Sequence, residues 1–318
     1  MALRVSSFAP PVRTPSVGLV VTTYRCGPFI DQTLASVAGQ THPPDQVVVV
    51  DDASDDDSVA RARAWSSHLN LEVVALARNE GVARARNAGI KRLNTDLVAL
   101  LDGDDLLLPD HFRVLSELHR TKGGIISPLA FFWSPGATLK PYQRRVRGFV
   151  APKDDQLRRL VKRNFVFIAS LLSRSDFDAV GGFVEGDRVQ DTTADWDLWL
   201  RLAAQGCPIT PGTTPTVLYR VLAGSMSDDA AFMRRCEIAQ LRRARSYLPE
   251  DLHAVVIKTV LQLEADLALI VETGPSRPGQ ARRALGPQGG DWRSRARALG
   301  GAAAPQLAGR LFRQRGGW

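Results

Sequence analysis

Two aspartates one residue apart, Asp102 and Asp104, stand just past an apolar run in the stretch LLDGDDLLLP. Carboxylates this close repel each other unless a cation lies between them. A hard divalent cation that also takes diphosphate oxygens supplies that charge. For an isolated triplet a solvated acidic turn is the plainer reading; the buried run before this one favours the ligand. A second acidic pair, Asp51 and Asp52, ends the run VVVVDDAS. Asp51 is placed to accept the imide N–H of a uracil or thymine ring, and Asp52 to cap the next turn; cap and ligand weigh equally for this pair. Thr22, Thr23 and Tyr24 close another apolar run, and a tyrosine at such a rim either stacks on a base or packs as an ordinary interface residue. In NEGVARARNAG, Gly81 opens a helix whose free N–H groups suit phosphate. Arg84 and Arg86 are its candidate anion partners. Two residues apart, they do not share a face, and Arg84 is the one assigned to the ligand. Asp195, in ADWDLWLRL, reads both as an N-cap and as a site carboxylate, roles that are compatible.

Positioning these residues requires a repeating scaffold. Val17 to Thr22 and Val47 to Val50 are short apolar runs that read as buried strands, and Leu71 to Leu76 and Leu97 to Leu101 read as the third and fourth strands. Helical patterns lie between and after them, over Pro28 to Gln40, Ser58 to His68 and Gly81 to Leu93, the second capped from the polar stretch Ser54 to Asp57. Alternation of this kind predicts an α/β fold with a mostly parallel, Rossmann-like sheet flanked by helices. In such sheets ligands bind beyond the carboxyl ends of the strands, where Thr22, Asp51 and Asp102 fall. The stretch 123–224 is less regular, apart from a helix at Asp197 to Ala204. Asp228 to Glu272 reads as helical.

Composition bounds the partners. Hydrophobic residues make up 44% and charged residues 23% of the 318 residues, which is ordinary for a globular chain. No apolar run is long enough to span a bilayer, and Met1 to Ser16 lacks the apolar core of a secretory signal. Three widely spaced cysteines, Cys26, Cys207 and Cys236, argue against a disulfide framework and for a reducing cytoplasm. The net charge of +8 belongs to one end: residues 273–318 hold nine arginines and one acid, Asp291. The body is therefore neutral, and nothing forces a nucleic-acid surface on it. The expected organisation is an N-terminal extension (1–16), a main domain (17–227, with halves 17–122 and 123–227), a helical extension (228–272) and a basic flexible tail (273–318). Leu299, Leu307, Leu311, Phe312 and Trp318 interleave with the arginines, a mixture suited either to solvent or to an anionic membrane surface.

In this order, VVTTY, VVDDAS, NEGVARARNAG, LLDGDDLLLP, VGGF, DWDLWLRL and YRVLAGSMS resemble the family 2 glycosyltransferases of the GT-A fold, over about Val17 to Ser227. The resemblance implies inverting transfer from a UDP-, dTDP- or GDP-linked sugar to a hydroxyl acceptor, lipid-linked or a glycan. It implies base contacts from Thr22, Tyr24 and Asp51, and nucleotide-sugar contacts from Arg84, Asp102 and Gly103. It assigns Asp102 and Asp104 to ribose and to diphosphate-bound Mn2+ or Mg2+, and Asp195 to the general base. Two positions depart from the pattern: Ala194 stands where Glu is usual, and Leu222 where His is usual. Asp191, four residues before Asp195, is the nearest substitute carboxylate. These departures also admit a rival, a catalytically impaired nucleotide-sugar-binding or scaffolding protein of the same fold. A nucleotidyltransferase is disfavoured, since no Gly-rich, Lys-containing phosphate loop follows the first strand. The expected location is the cytoplasm, with peripheral contact at the inner face of the cell membrane.

Overall fold

The computed structural model describes residues 13–133, 140–141, 154–222 and 229–273. The expected basic tail, apart from Thr273, lies outside them, as does most of the N-terminal extension. The apolar runs do become strands: β1 (Val17–Thr23), β2 (Gln46–Asp51), β3 (Leu71–Ala75) and β4 (Leu97–Asp102). Every residue of β1 is buried, as are five of the six in β2 and in β4. Continuous β-branched and leucine runs form strands because both faces of a central parallel strand are covered by helices. Each such side chain removed from water contributes roughly 1.5–3 kcal/mol before chain entropy is subtracted. Three helices cover this half: α1 (Gly27–Ala38), α2 (Ser58–Ala64) and α3 (Val82–Arg92). Pro28 sits in the first turn of α1, where its missing N–H costs nothing. The helix expected to reach His68 ends at Ala64 and tightens into a 3-10 turn over Trp65–Ser67.

The remaining elements are β5 (Leu106–Leu107), α4 (His111–Lys122), β6 (Ile125–Trp133), β7 (Lys140–Pro141), α5 (Gln156–Lys162), β8 (Leu171–Ser173), α6 (Arg174–Ala179), α7 (Arg188–Thr192), α8 (Ala194–Ala204), β9 (Ile209–Arg220), α9 (Ala230–Ala244) and α10 (His253–Thr273). Nine strands form one sheet, eight of them in the order β3-β2-β1-β4-β8-β6-β9-β5, with the short β7 paired to β6 off that path. The first half, β3-β2-β1-β4, is parallel throughout. Beyond β4 the sheet is mixed. β8 is antiparallel to β4 and β6, β9 runs parallel to β6, and β5 runs antiparallel to β9.

Two consequences reach the site. The parallel register sets Thr22 beside Asp102 and Thr23 beside Asp51, so three neighbouring strands end on one rim. The antiparallel pairs Leu106 with Leu218 and Leu107 with Val217 fold β9 back against the turn after β4. The two C-terminal helices are part of the same core: Ile238, Leu241, Ala244, Leu252, Val256 and Val260 join its buried cluster. A polar knot fastens α9 to α8. The buried Asp197 carboxylate accepts from Gln240 Nε2 (2.8 Å), Tyr247 Oη (2.8 Å) and Arg201 Nε (2.7 Å). Arg201 in turn donates to the carbonyls of Val180 and Gly182, tying α8 to the VGGF turn.

Candidate active site

The rim begins where β1 ends. Thr22 is nearly buried, and its hydroxyl lies 3.4 Å from Asp102 Oδ1. Tyr24 is 43% exposed, with the Arg25 guanidinium 5.1 Å from its ring centroid. The loop after it is pinned to the loop after β2. The amides of Arg25 and Cys26 donate to the hydroxyls of Ser54 (2.8 Å) and Ser58 (2.9 Å), and that of Gly27 to Asp56 Oδ2 (3.0 Å). Arg25 and Ala53 both take left-handed backbone there, an uncommon cost for non-glycine residues and one these contacts offset.

The two aspartates ending β2 are committed inward. Asp51 is 1% exposed, and its carboxylate accepts from the Ser54 amide (2.8 Å) and hydroxyl (2.6 Å). Asp51 thus serves its own loop, because the amides after a strand end need an acceptor and Asp51 is the nearest; its two oxygens keep further lone pairs for a base. Asp52 reaches the loop before α3 instead of the next turn: it accepts from the amides of Glu80 (2.7 Å) and Gly81 (2.9 Å). Gly81 has φ +92°, and a side chain there would collide with Asp191.

On α3 the two arginines separate as their spacing requires. Arg84 lies outward, on Glu185 (2.9 Å) and Glu80 (3.6 Å). Arg86 is the one that reaches the acidic rim: its Nη2 donates to Asp102 Oδ1 at 2.8 Å, and its guanidinium lies 5.5 Å from the Phe183 ring centroid. Helical periodicity carries the signal, since Ala83, Arg86, Asn87 and Ile90 form one buried stripe. Asn87 completes it by exchanging hydrogen bonds with the Phe183 backbone (2.9 and 3.0 Å).

The turn after β4 is tightly built. The Gly103 amide donates to the Thr22 carbonyl (2.8 Å), and its own carbonyl accepts from Thr33 Oγ1 (2.9 Å). A Cβ at Gly103 would press on Thr22 and Thr23 at 3.0 Å, a close approach that favours glycine. Asp104 projects beside Asp102; burial and that neighbouring charge push its carboxyl up to about 6. Asp105 is fully buried and driven well above the usual carboxylate range, first by burial and then by Asp104 and Asp102. Its Oδ2 has no partner among the described residues.

Across the rim, Asp195 occupies the first turn of α8. Its Oδ2 accepts from Asn164 Nδ2 at 2.9 Å. Burial raises its pKa, opposed chiefly by the charge of Arg86, and Asp102 also acts on it electrostatically. Asp195, Arg86, Asp102 and Asp104 therefore belong to one cluster. Asp191, at the end of α7, also has its pKa raised by burial; Asp52, Arg86 and Arg84 all act on it. Ala194 is buried and Leu222 half-buried. Ala223 to Ser227 lie outside the described residues.

Two residues escape the motif reading; Arg86 was among its candidates, and helical periodicity is what distinguishes it from Arg84. Asn164 carries no local signal. Arg220, buried at the end of β9, meets the Asp104 turn only through strand register. Among the described residues no group of three or more His, Cys, Asp or Glu could hold a metal ion alone. The two neighbouring carboxylates of Asp102 and Asp104, whose mutual repulsion raises Asp104, still fit a hard cation that draws its further ligands from a diphosphate.

A mixed α/β sheet with an acidic rim at its parallel strand ends is the architecture of the GT-A glycosyltransferases. The model for "Glycosyl transferase family 2" matches residues 19–181, half of the chain, and the protein belongs to that family. It is 29% identical over 189 residues to the uncharacterized glycosyltransferase YwdF of Bacillus subtilis, covering 59% of this chain and 68% of that one. It is 26% identical over 200 residues to the UDP-Gal:alpha-D-GlcNAc-diphosphoundecaprenol beta-1,3-galactosyltransferase of Escherichia coli, covering 61% and 70%. The mannosyltransferase PcManGT of Pyrobaculum calidifontis, solved with GDP-Man and Mn2+, superposes with a TM-score of 0.60 at 19% identity over 95% of this chain and 84% of that one. At that identity the likeness speaks for the fold.

Proposed function

We propose that this glycosyltransferase moves a sugar from a UDP-, dTDP- or GDP-linked donor to an acceptor hydroxyl with inversion, using Asp195 as general base. The observation that carries the reading is the bridge at the rim: Arg86 holds Asp102 at 2.8 Å and acts electrostatically on Asp195, so the donor carboxylate and the base share one cation. The nucleotide lies over the ends of β1 and β2, with Tyr24 available to stack on its base and Thr22 and Gly103 lining the turn toward ribose. Asp51 contributes by holding the Ser54 turn. Asp102 and Asp104 would hold Mn2+ or Mg2+ together with the diphosphate. When bound, such a cation supplies positive charge to the diphosphate as it departs.

Asp195 takes the proton from the acceptor hydroxyl while that oxygen attacks the anomeric carbon and the bond from that carbon to the diphosphate oxygen breaks. Burial makes Asp195 a stronger proton acceptor than an exposed aspartate. Asn164 fixes which of its oxygens remains available. The stretch 17–122 is read as the donor half and 123–227 as the acceptor half, with residues 228–272 bracing α8.

The acceptor is read as lipid-linked or a glycan; the name of the Escherichia coli relative supports a lipid-linked class. Among the described residues no helix is long and apolar enough to cross a membrane. The arginines of residues 273–318, with Ile257, Leu261 and Leu269 exposed on α10, support peripheral contact with an anionic cytoplasmic leaflet. Equal sedimentation with anionic liposomes before and after removal of residues 274–318 would count against that contact. The function itself is tested by thermal shifts and turnover with a panel of UDP-, dTDP- and GDP-sugars plus manganese, since a bound ligand stabilises by mass action. Ala194 and Leu222 favour a second reading, a binding protein without turnover. Donor binding with no release of nucleotide from any sugar would select it.

A further inference from the structure

Arg220 is 3% exposed at the end of β9, and among the described residues no carboxylate pairs with its fork, an unusual setting for a buried guanidinium. Its position follows from register. Leu106 pairs with Leu218, so carrying that antiparallel ladder two residues further sets Arg220 opposite Asp104. Three hydrogen bonds result. The Arg220 amide donates to Asp105 Oδ1 (2.8 Å), Nε to the Asp104 carbonyl (2.6 Å), and Nη2 to Gln32 Oε1 on α1 (2.9 Å). The guanidinium also packs against two aromatic rings, with centroids 4.8 Å away at Phe29 and 4.5 Å away at Trp133.

We propose that Arg220 is a positioning residue, holding the Asp102–Asp105 turn in the form that presents the Asp104 carboxylate to a divalent cation and a donor diphosphate. The inference rests on the functional reading above. Its distinguishing detail is which Asp104 atom the arginine takes. It binds the carbonyl, and among the described residues no side chain donates to the Asp104 carboxylate, so the cationic charge offsets the acidic turn while the ligand oxygens stay free. The charge is needed there because three carboxylates within four residues repel one another in a partly buried turn. Arginine is needed because a planar fork can reach Asp104 and Gln32 at once while stacked between rings, which a lysine ammonium cannot do.

The test compares Arg220→Met, Arg220→Lys and Gln32→Ala with the wild type. Manganese affinity in the presence of UDP or GDP is read from the free-Mn2+ electron paramagnetic resonance signal, and kcat and KM are read from donor hydrolysis. Outer-sphere partners of a metal site typically carry a 10–100-fold effect. Arg220→Met should therefore weaken manganese affinity at least roughly tenfold and lower kcat, with Arg220→Lys and Gln32→Ala intermediate. Val256→Ala, far off on α10, supplies a variant of comparable melting temperature and should leave manganese affinity unchanged. If Arg220→Met does not fold, the two milder variants decide. Wild-type manganese affinity in the folded Arg220 variants, or an equal loss in Val256→Ala, would overturn the positioning role while leaving the enzyme assignment intact. A wild type that binds neither manganese nor nucleotide would remove the functional reading and this inference with it.

Discussion

Arg86→Met removes the cation at the centre of the rim while keeping most of its volume. The Arg86 side chain is 8% exposed and that of Asp102 33%, and they meet at 2.8 Å. A hydrogen bond to a charged group contributes about 1.5–3 kcal/mol. Asp102 is one-third open to water, which re-solvates it once the partner is gone, so about 1–2 kcal/mol of this should be lost. The contact with Phe183 adds about 0.5–1 kcal/mol, part of which methionine replaces by packing against the ring. The net expectation is a destabilisation of about 2 kcal/mol in urea unfolding at neutral pH, with an unchanged slope. A kinetic effect accompanies it. Arg86 is the main charge opposing the burial of Asp195, so its removal raises the Asp195 pKa further. The acid limb of the pH–rate profile should then move to higher pH. An unfolding free energy within about 0.3 kcal/mol of wild type, together with an unmoved acid limb, would refute the picture of Arg86 as the bridge between Asp102 and Asp195.

Asn164→Ala deletes a hydrogen bond to the ionised Asp195, so the Asp195 pKa should rise and transfer should fall at mildly acid pH before it falls at neutral pH; an identical pH profile would remove Asn164 from the site. His111 is buried against Thr216 Oγ1 (3.1 Å), and burial lowers its pKa from 6.5 to about 3. Its folded form stays neutral while the unfolded chain takes up a proton below 6.5, so this contribution to stability is whole above 6.5 and drains away as pH falls toward 3. At about 1.4 kcal/mol per unit, the stability advantage of wild type over His111→Gln should shrink by roughly 2 kcal/mol between about pH 7 and pH 5; a constant difference would contradict it.

The parallel half of the fold was legible because VGLVVT, VVVV and LVALL are buried on both faces and carry no polar interruption. The twelve-residue β9 was not, because Pro211, Gly212 and Pro215 argue against a strand. It tolerates them through register shifts against β6 at Ser127/Leu129 and Leu129/Ala130. The rim aspartates could be found from motif order, yet their individual duties could not. Asp51 and Asp52 are adjacent in sequence, and only the fold shows one closing its own loop and the other holding the turn before α3. Choosing between Arg84 and Arg86 needed the buried stripe of α3, a periodicity visible in the residues themselves. Arg220 lies 116 residues from Asp104, and no local pattern announces a contact created by strand register.

Asp195→Asn keeps the shape of the side chain and its hydrogen bond from Asn164 while removing the proton acceptor. Parallel measurement of sugar transfer and of nucleotide-sugar binding in this variant tests the account most directly. Transfer should fall by about 10²–10⁴-fold while donor affinity stays within about twofold of wild type. Transfer at the wild-type rate would contradict it.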